Sequence, residues 1–519
     1  MAKSQVVLAI LDGWGIGLKN DSNPIFVQGT PNIDYLKGNF LIGALQTSGI
    51  SIGLPSGIEG NSEGHQTIAA GRIIYQHYPR IMLSIRDGSF AKNRVFLNAF
   101  EHVKEYNSAL NLAGLLTEGN IHASIRHLIE LIKLAKQNGV QKINLHLFTD
   151  GKDSASQSAL RLFGSLIYEI GGDDSVKIGS IAGRYFAMDR EQHWDRVQKV
   201  YEAIGGSEAA PSGKLEDIIQ AQYQNGSDDF YIEPSVINQD RTVKSNDAIL
   251  FFNFREDSMR QLVAPFVLDN FAAFPVKKFG NLYVGAMTQY SEEFIEVPAA
   301  FPPEKFNNSL GEALADNGKI QIRIGETEKY AHITYYFNGF RQEPFKNEFR
   351  VLIPSPSVLS YAENPEMHAR ELTARAAQAI EDRSFDFILV NYPNGDMVAH
   401  TGDFEAAKRA VKAIDEEMGK LTKIALSKGA VLIITSDHGN IESMRNSETG
   451  ETTTTHDISA VPIYIAGKGL EKKKPPEEID RAEKEIAGTQ ADVAPTILEI
   501  MGILKPPEMT GESLLKKLK

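Results

Sequence analysis

Apolar residues fall along this chain in short unbroken runs that stop at acidic or imidazole side chains. Val431-Leu-Ile-Ile-Thr-Ser-Asp-His-Gly-Asn440 is the plainest: its β-branched first half predicts a buried strand, and Asp437 and His438 stand at the carboxyl end. Phe385 to Tyr392 ends in Asp396-Met-Val-Ala-His400, Val6 to Leu11 runs into Asp12, and His456 precedes a fourth run, Ala460 to Ala466. Open α/β sheets bind ligands at the carboxyl ends of their strands, so three strands deliver candidate ligands to one rim.

The middle of the chain repeats the alternation in a cycle of its own. Strands are predicted over 110–116, 142–148, 177–181 and 247–252, and helices over 124–137, 157–170 and 193–203. That order implies a second parallel sheet with right-handed crossovers. The proline-rich stretch 297–308 reads as a linker leaving it. The expected organisation is therefore a split domain, residues 1–76 and 303–519, with residues 77–302 inserted. In the split domain, strands are predicted over 41–52, 320–324 and 331–337 and a short helix over 66–70. A longer helix over 405–427 carries Ala407, Ala410, Val411, Ile414, Met418, Leu421 and Ala425 on one face, a stripe for packing on a sheet.

Composition narrows the classes. The 519 residues are 42% hydrophobic, enough for full cores. With 67 acidic and 54 basic residues the net charge is −13, which argues against a nucleic-acid or membrane partner and means that an anionic substrate needs a local basic pocket. The absence of cysteine excludes disulfides, thiolate ligands and a cysteine nucleophile, and fits a reducing compartment. No stretch approaches the roughly 20 apolar residues of a membrane span, and the N-terminus has no signal-peptide pattern. A cytoplasmic protein acting as a monomer on a small molecule is the expectation.

The candidate ligands form two sets: Asp12, Ser62, Asp437 and His438, and Asp396, His400 and His456. Mixed carboxylate and imidazole donors suit Zn²⁺ or Mn²⁺ better than Ca²⁺ or Mg²⁺. Ser62 lies in a glycine-rich turn beside a helix start, where an ordinary N-cap and an anion-binding nucleophile are alternative readings. Two metals stabilise the attacking and leaving oxygens of a phosphoryl transfer, and a serine coordinated to one of them becomes a nucleophile. In the inserted domain the strand ends carry His122, Asp150-Gly-Lys152-Asp153, Arg184, Arg190, Arg255 and Arg260, which together make an anion pocket.

Leu11-Asp-Gly-Trp-Gly, Gly60-Asn-Ser-Glu-Gly-His, Asp150-Gly-Lys-Asp, Gly183-Arg-Tyr-Phe-Ala-Met-Asp-Arg, Asn253-Phe-Arg, Glu326-Thr-Glu-Lys-Tyr, Asp396-Met-Val-Ala-His-Thr-Gly and Ser436-Asp-His-Gly-Asn run through nearly the whole chain. In these motifs it resembles the cofactor-independent (2,3-bisphosphoglycerate-independent) phosphoglycerate mutases of the alkaline phosphatase superfamily. The resemblance implies an α/β fold: an alkaline-phosphatase-like metal domain with an inserted α/β transferase domain, both with mainly parallel sheets. It implies one Mn²⁺ on Asp396, His400 and His456, another on Asp12, Asp437 and His438, and no 2,3-bisphosphoglycerate. Ser62 would take the phosphoryl group from 3-phosphoglycerate and return it to O2 of the reoriented glycerate. Asp153 would move protons, and His122, Arg184, Arg190, Arg255 and Lys329 would bind phosphate and carboxylate. Three departures stand out: Lys152 where the family has arginine, Ser258 where it has a second arginine, and one residue fewer between Glu63 and Gly64. Arg260 is expected to fill the gap at Ser258. These departures keep open a relative acting on another small acidic phosphoester or phosphonate.

Overall fold

The computed structural model describes residues 5–55, 57–207, 211–303 and 305–519. The chain divides into two compact units, Met1–Gln76 with Glu304–Lys519, and His77–Pro303. In chain order the strands are β1 (Val6–Leu11), β2 (Leu41–Gln46), β3 (Leu110–Leu115), β4 (Ile143–Thr149), β5 (Val176–Gly183), β6 (Ser235–Val236) and β7 (Ala248–Phe251). They continue as β8 (Tyr283–Ala286), β9 (Gln321–Glu326), β10 (Glu348–Ile353), β11 (Phe387–Tyr392), β12 (Val431–Thr435), β13 (Val461–Ala466) and β14 (Ile486–Thr489). Among the described residues no helix is long and apolar enough to cross a membrane.

The first unit holds an eight-stranded sheet in the order β10-β9-β11-β1-β12-β13-β2-β14. It is parallel except that β13 runs against both β12 and β2. Side chains of β1 alternate between two cores: Val7, Ala9 and Leu11 pack with helices Ala369–Asp382 and Phe404–Lys428, whereas Val6, Leu8 and Ile10 pack with helices Ser62–Ala70, Leu310–Asp316 and Val493–Met501. Helices on both faces explain why these strands read as continuous apolar runs. Helix Phe404–Lys428 buries the whole predicted stripe; the Asp403 carboxylate accepts from the Ala406 N–H at its start, and Gly429 closes it in the left-handed conformation. The second unit holds a six-stranded sheet, β6-β5-β4-β3-β7-β8, parallel apart from β6 against β5. Both units are α/β with mainly parallel sheets.

Three expectations needed correction. Residues 331–337 are not a strand: His332–Tyr336 is a helical segment of the wide π type. Ile333 and Phe337, four apart, are both buried in one core, and the Thr334 hydroxyl donates to the Tyr330 carbonyl at 2.6 Å. Their β-branched and aromatic composition mimicked a strand, but the four-residue spacing of the buried positions is helical. The strand beginning at Leu41 stops at Gln46, and Gly49–Ile52 forms a 3₁₀ turn. The helix expected from Gln66 begins at Ser62 itself.

Candidate functional site

In the first unit, strand register sets the site. Leu11 pairs with Tyr392 and Ile10 with Thr435, so β1, β11 and β12 end level with one another. Asp12 follows β1 directly, Asp396 sits in helix Asn394–Ala399 after β11, and Asp437 and His438 follow β12. Asp12, Asp396, Asp437 and His438 are all buried. Candidate donor atoms converge within 4.8 Å of one another in Asp396, His400 and His456, in Asp12, Asp396 and His438, and in Asp12, His65 and Asp437.

Imidazole orientation is the informative detail. His400 Nδ1 lies 2.8 Å from the Thr454 carbonyl oxygen, His456 Nδ1 2.7 Å from that of Gly60, and His438 Nδ1 3.2 Å from that of Gly439. A carbonyl only accepts, so each Nδ1 carries a proton and each ring turns its Nε2, the nitrogen left to bind a metal, inward. Those nitrogens lie 3.1 Å (His400), 3.2 Å (His456) and 3.9 Å (His438) from Asp396 Oδ1. The Nε2 atoms of His400 and His456 are also 3.2 Å apart. Protonating both would set two N–H groups against each other. His438 Nε2 is buried without a hydrogen-bond partner among the described residues, 3.3 Å from Asp437 Oδ2 and 3.7 Å from Asp12 Oδ1. Lone pairs and carboxylate oxygens held at these separations are what a cation with bonds of about 2.0–2.2 Å draws together. The residues fit divalent metal.

The electrostatics agree. Burial, reinforced by neighbouring Asp437, pushes the Asp12 carboxyl above its ordinary range. Burial would raise Asp396 as well, but the Lys329 ammonium and the hydrogen bonds to His400 and His456 hold it well below that range. Lys329 is buried, 2.6 Å from Asp12 Oδ1 and 2.7 Å from Asp396 Oδ2, and joins one carboxylate of each candidate set. Its place is thus among the carboxylates of the first unit, whereas the basic residues grouped with it by sequence lie in the second.

Ser62 is the first residue of helix Ser62–Ala70, and its hydroxyl accepts from the Gln66 amide at 3.4 Å. The helix start is pinned on both sides. The Gly60 carbonyl holds His456, and a side chain on Gly64 would come within 2.3 Å of the Asp437 carbonyl oxygen. Sequence reasoning passed over His65, Asn391 and Asn440. His65 Nδ1 lies 3.2 Å from Asp437 Oδ2; Asn391 donates to Asp12 Oδ2 at 3.1 Å, and Asn440 to Asp396 Oδ1 at 2.8 Å. Asn391 had a readable signal, a polar residue inside the apolar run of β11.

In the second unit, β3, β4, β5 and β7 bring the remaining residues to their carboxyl ends. Asp150 after β4 accepts from Arg184 after β5 at 2.6 Å, and Arg184 also donates to Asp153 at 2.9 Å. Burial, then the charges of Arg184 and Arg255, push His122 down to about 4, so its ring is neutral at physiological pH. His122 Nδ1 meets the hydroxyl of buried Ser258 at 3.1 Å. Arg190 pairs with Asp257 at 2.7 Å, and Arg255 reaches the same carboxylate at 3.4 Å. Lys152 places its ammonium over the Phe230 ring at 4.7 Å. Arg260, expected to fill the gap at Ser258, donates Nε to the Tyr290 carbonyl at 2.7 Å and lines a cavity with Arg190 and Asp257.

An α/β fold with buried carboxylates and imidazoles arranged for divalent metal defines a metalloenzyme, and the chain matches the metalloenzyme superfamily model over residues 4–505. The 2,3-bisphosphoglycerate-independent phosphoglycerate mutase of Clostridioides difficile (strain 630) is 42% identical over 525 residues, covering 100% of both chains. That of Pseudomonas putida (strain GB-1) is 42% identical over 518 residues, covering 98% of each. A crystal structure of Leishmania mexicana phosphoglycerate mutase at low cobalt concentration superposes with a TM-score of 0.60 at 26% identity, covering 99% of this chain and 98% of that one. This chain belongs to the 2,3-bisphosphoglycerate-independent phosphoglycerate mutase family.

Proposed function

We propose that this chain interconverts 3-phosphoglycerate and 2-phosphoglycerate through a phosphoserine at Ser62, as a cytoplasmic monomer holding two Mn²⁺ ions. Asp396, His400 and His456 would hold one ion, and Asp12, Ser62, Asp437 and His438 the other. The observation that carries the reading is the inward convergence of three Nε2 atoms on buried carboxylates. Mixed nitrogen and oxygen donors favour manganese over the oxygen-only cations. When bound, the ions supply Lewis-acid stabilisation of the phosphoryl oxygens and lower the pKa of a coordinated hydroxyl.

Ser62, its hydroxyl proton released to solvent, attacks phosphorus through Oγ; the Oγ–P bond forms as the bond to O3 breaks, and O3 takes the proton held by Asp153. The phosphoryl group then returns from Ser62 to O2, which gives up its proton as the O2–P bond forms. Asp153 is the carrier of that proton, its carboxylate oriented by Arg184 at 2.9 Å. His122, Lys152, Arg184, Arg190 and Arg255 recognise carboxylate and phosphate, and Lys329 offsets the charge of Asp12 and Asp396.

A second reading, turnover of another small acidic phosphoester or phosphonate, is favoured by Ser258, because its buried hydroxyl meets His122 where the resemblance implies an arginine. The deciding assay supplies 3-phosphoglycerate alone to Mn²⁺-loaded protein and follows 2-phosphoglycerate. Turnover that needs no added bisphosphoglycerate and is lost with EDTA supports the mutase; hydrolysis or no turnover transfers the case to the second reading.

A further inference from the structure

Buried Glu442 belongs to neither candidate ligand set, yet two loops that carry ligands are fastened to it. Its Oε2 accepts the backbone N–H of Gly15 at 2.8 Å and that of Asn440 at 2.8 Å. Gly15 lies in the loop that begins with Asp12, and Asn440 in the loop that begins with Asp437 and His438. The space around the carboxyl is closed: a side chain on Gly15 would come within 2.1 Å of Oε1, and one on Gly439 within 2.2 Å. Other contacts join the same two loops: the Gly13 N–H donates to Asp437 Oδ1 at 3.2 Å, the Trp14 N–H to Ser436 Oγ at 3.0 Å, and the Ile441 N–H to the Gly13 carbonyl at 3.0 Å. Asp437 Oδ1 and Ser436 Oγ also reach the backbone of both loops, but Asp437 is itself a candidate ligand and Ser436 its neighbour, whereas Glu442 grips both loops from outside the ligand sets. Among the described residues Oε1 has no hydrogen-bond partner, so the two N–H bonds to Oε2 are the visible work of the carboxyl.

We infer that Glu442 is a positioning residue for one ion of the pair: by tying Gly15 to Asn440 it sets the distance of Asp12 from Asp437 and His438, and so the affinity of the ion those three would hold. In the other set the two histidines are fixed elsewhere, by the Thr454 and Gly60 carbonyls, whereas Asp396 accepts from the Asn440 side chain at 2.8 Å and its N–H donates to the Asp12 carbonyl at 3.0 Å, so that set depends on the two loops through one ligand only. Groups that orient ligands without touching the metal change its affinity by about 10–100-fold when removed. The inference rests on the two-ion reading above.

The test is Mn²⁺ binding by calorimetry and electron paramagnetic resonance on metal-stripped full-length protein. Glu442→Gln keeps the accepting oxygen and should bind both ions as the wild type does. Glu442→Asp keeps the acid but shortens its reach, and should lose affinity for the ion of the Asp12 set by tenfold or more and for the other ion by clearly less. In a His456→Ala background, which leaves only the Asp12 set complete, Glu442→Asp should remove most of the remaining binding. Thermal melts of the metal-free variants show whether each is folded, and Glu442→Gln keeps the inference exposed if Glu442→Asp is not: weak binding of either ion by folded Glu442→Gln counts against it. Wild-type affinity for both ions in Glu442→Asp, or an equal loss at both, overturns it. A wild type that binds a single ion overturns the two-ion reading itself, and this inference with it.

Discussion

Ser62 presents one hydroxyl at a helix start whose neighbours are locked to candidate ligands, so replacing it removes a nucleophile and little structure. Ser62→Ala should abolish mutase activity and the phosphorylated form of the protein detected by mass spectrometry, with the melting temperature nearly unchanged. Activity above a trace would sink the covalent route. Asp150 makes the complementary case. Its Oδ1 accepts from Arg184 at 2.6 Å and from the Asp153 N–H at 3.1 Å, and its Oδ2 accepts from Thr117 at 2.6 Å. Burial would raise this carboxyl, but the Thr117 and Arg184 hydrogen bonds hold it below the ordinary range. A charge-assisted hydrogen bond is worth about 1.5–3 kcal/mol, so Asp150→Ala should lower kcat/KM by roughly tenfold to a hundredfold through misplaced Arg184 and Asp153. Circular dichroism must show an intact fold for that reading, and unchanged kcat/KM would remove Asp150 from the machinery.

At the scale of elements, the contact between helix Ser62–Ala70 and the turn after β12 has no slack. Gly64→Ala would force a methyl to within 2.3 Å of the Asp437 carbonyl oxygen, and overpacking of this kind typically costs about 1–3 kcal/mol. We expect Gly64→Ala to lower the urea midpoint and weaken Mn²⁺ binding together; a variant with wild-type values for both would show that the turn can move aside. The same contact marks what could be read in advance. β1, β11, β12 and β13 were legible because burial on both faces leaves uninterrupted apolar runs, and Asp12, Asp396, Asp437 and His438 were legible because they interrupt those runs at the rim. The start of the helix at Ser62 was hidden by glycines and polar residues with weak local preference, and its position depends on Gly64 meeting a turn about 370 residues later in the chain. The ion pairs of Lys329 with Asp12 and Asp396 were not legible for a related reason, since they join residues about 320 and about 70 positions apart in the chain. The edge strands β10 and β14 were missed, being short and half exposed, without the period a buried strand imposes.

Across the whole molecule, acid should act on the second unit through histidines outside the candidate site. His127 is buried between the rings of Tyr78 and Phe254 with neither nitrogen hydrogen-bonded among the described residues, and burial pushes it down to about 3. His146 on β4, bonded to Ser180 at 2.8 Å and Asn111 at 3.1 Å, is likewise pushed down to about 3 by burial. Both remain neutral in the folded chain, whereas in the unfolded chain they take up a proton near the ordinary value of about 6.5. Between those limits the unfolded state binds more protons, so the stability each contributes is complete above about pH 6.5 and is lost as pH falls toward 3, at about 1.4 kcal/mol per pH unit per histidine. Hydrogen exchange on the full chain should therefore show the opening free energy of β3, β4 and β5 falling from pH 6.5 to pH 5. His146→Asn removes the titrating ring but keeps polar atoms for the buried network. It should cut that slope by about 1.4 kcal/mol per pH unit. A slope that stays the same in His146→Asn would mean that the acid sensitivity of this sheet comes from another group.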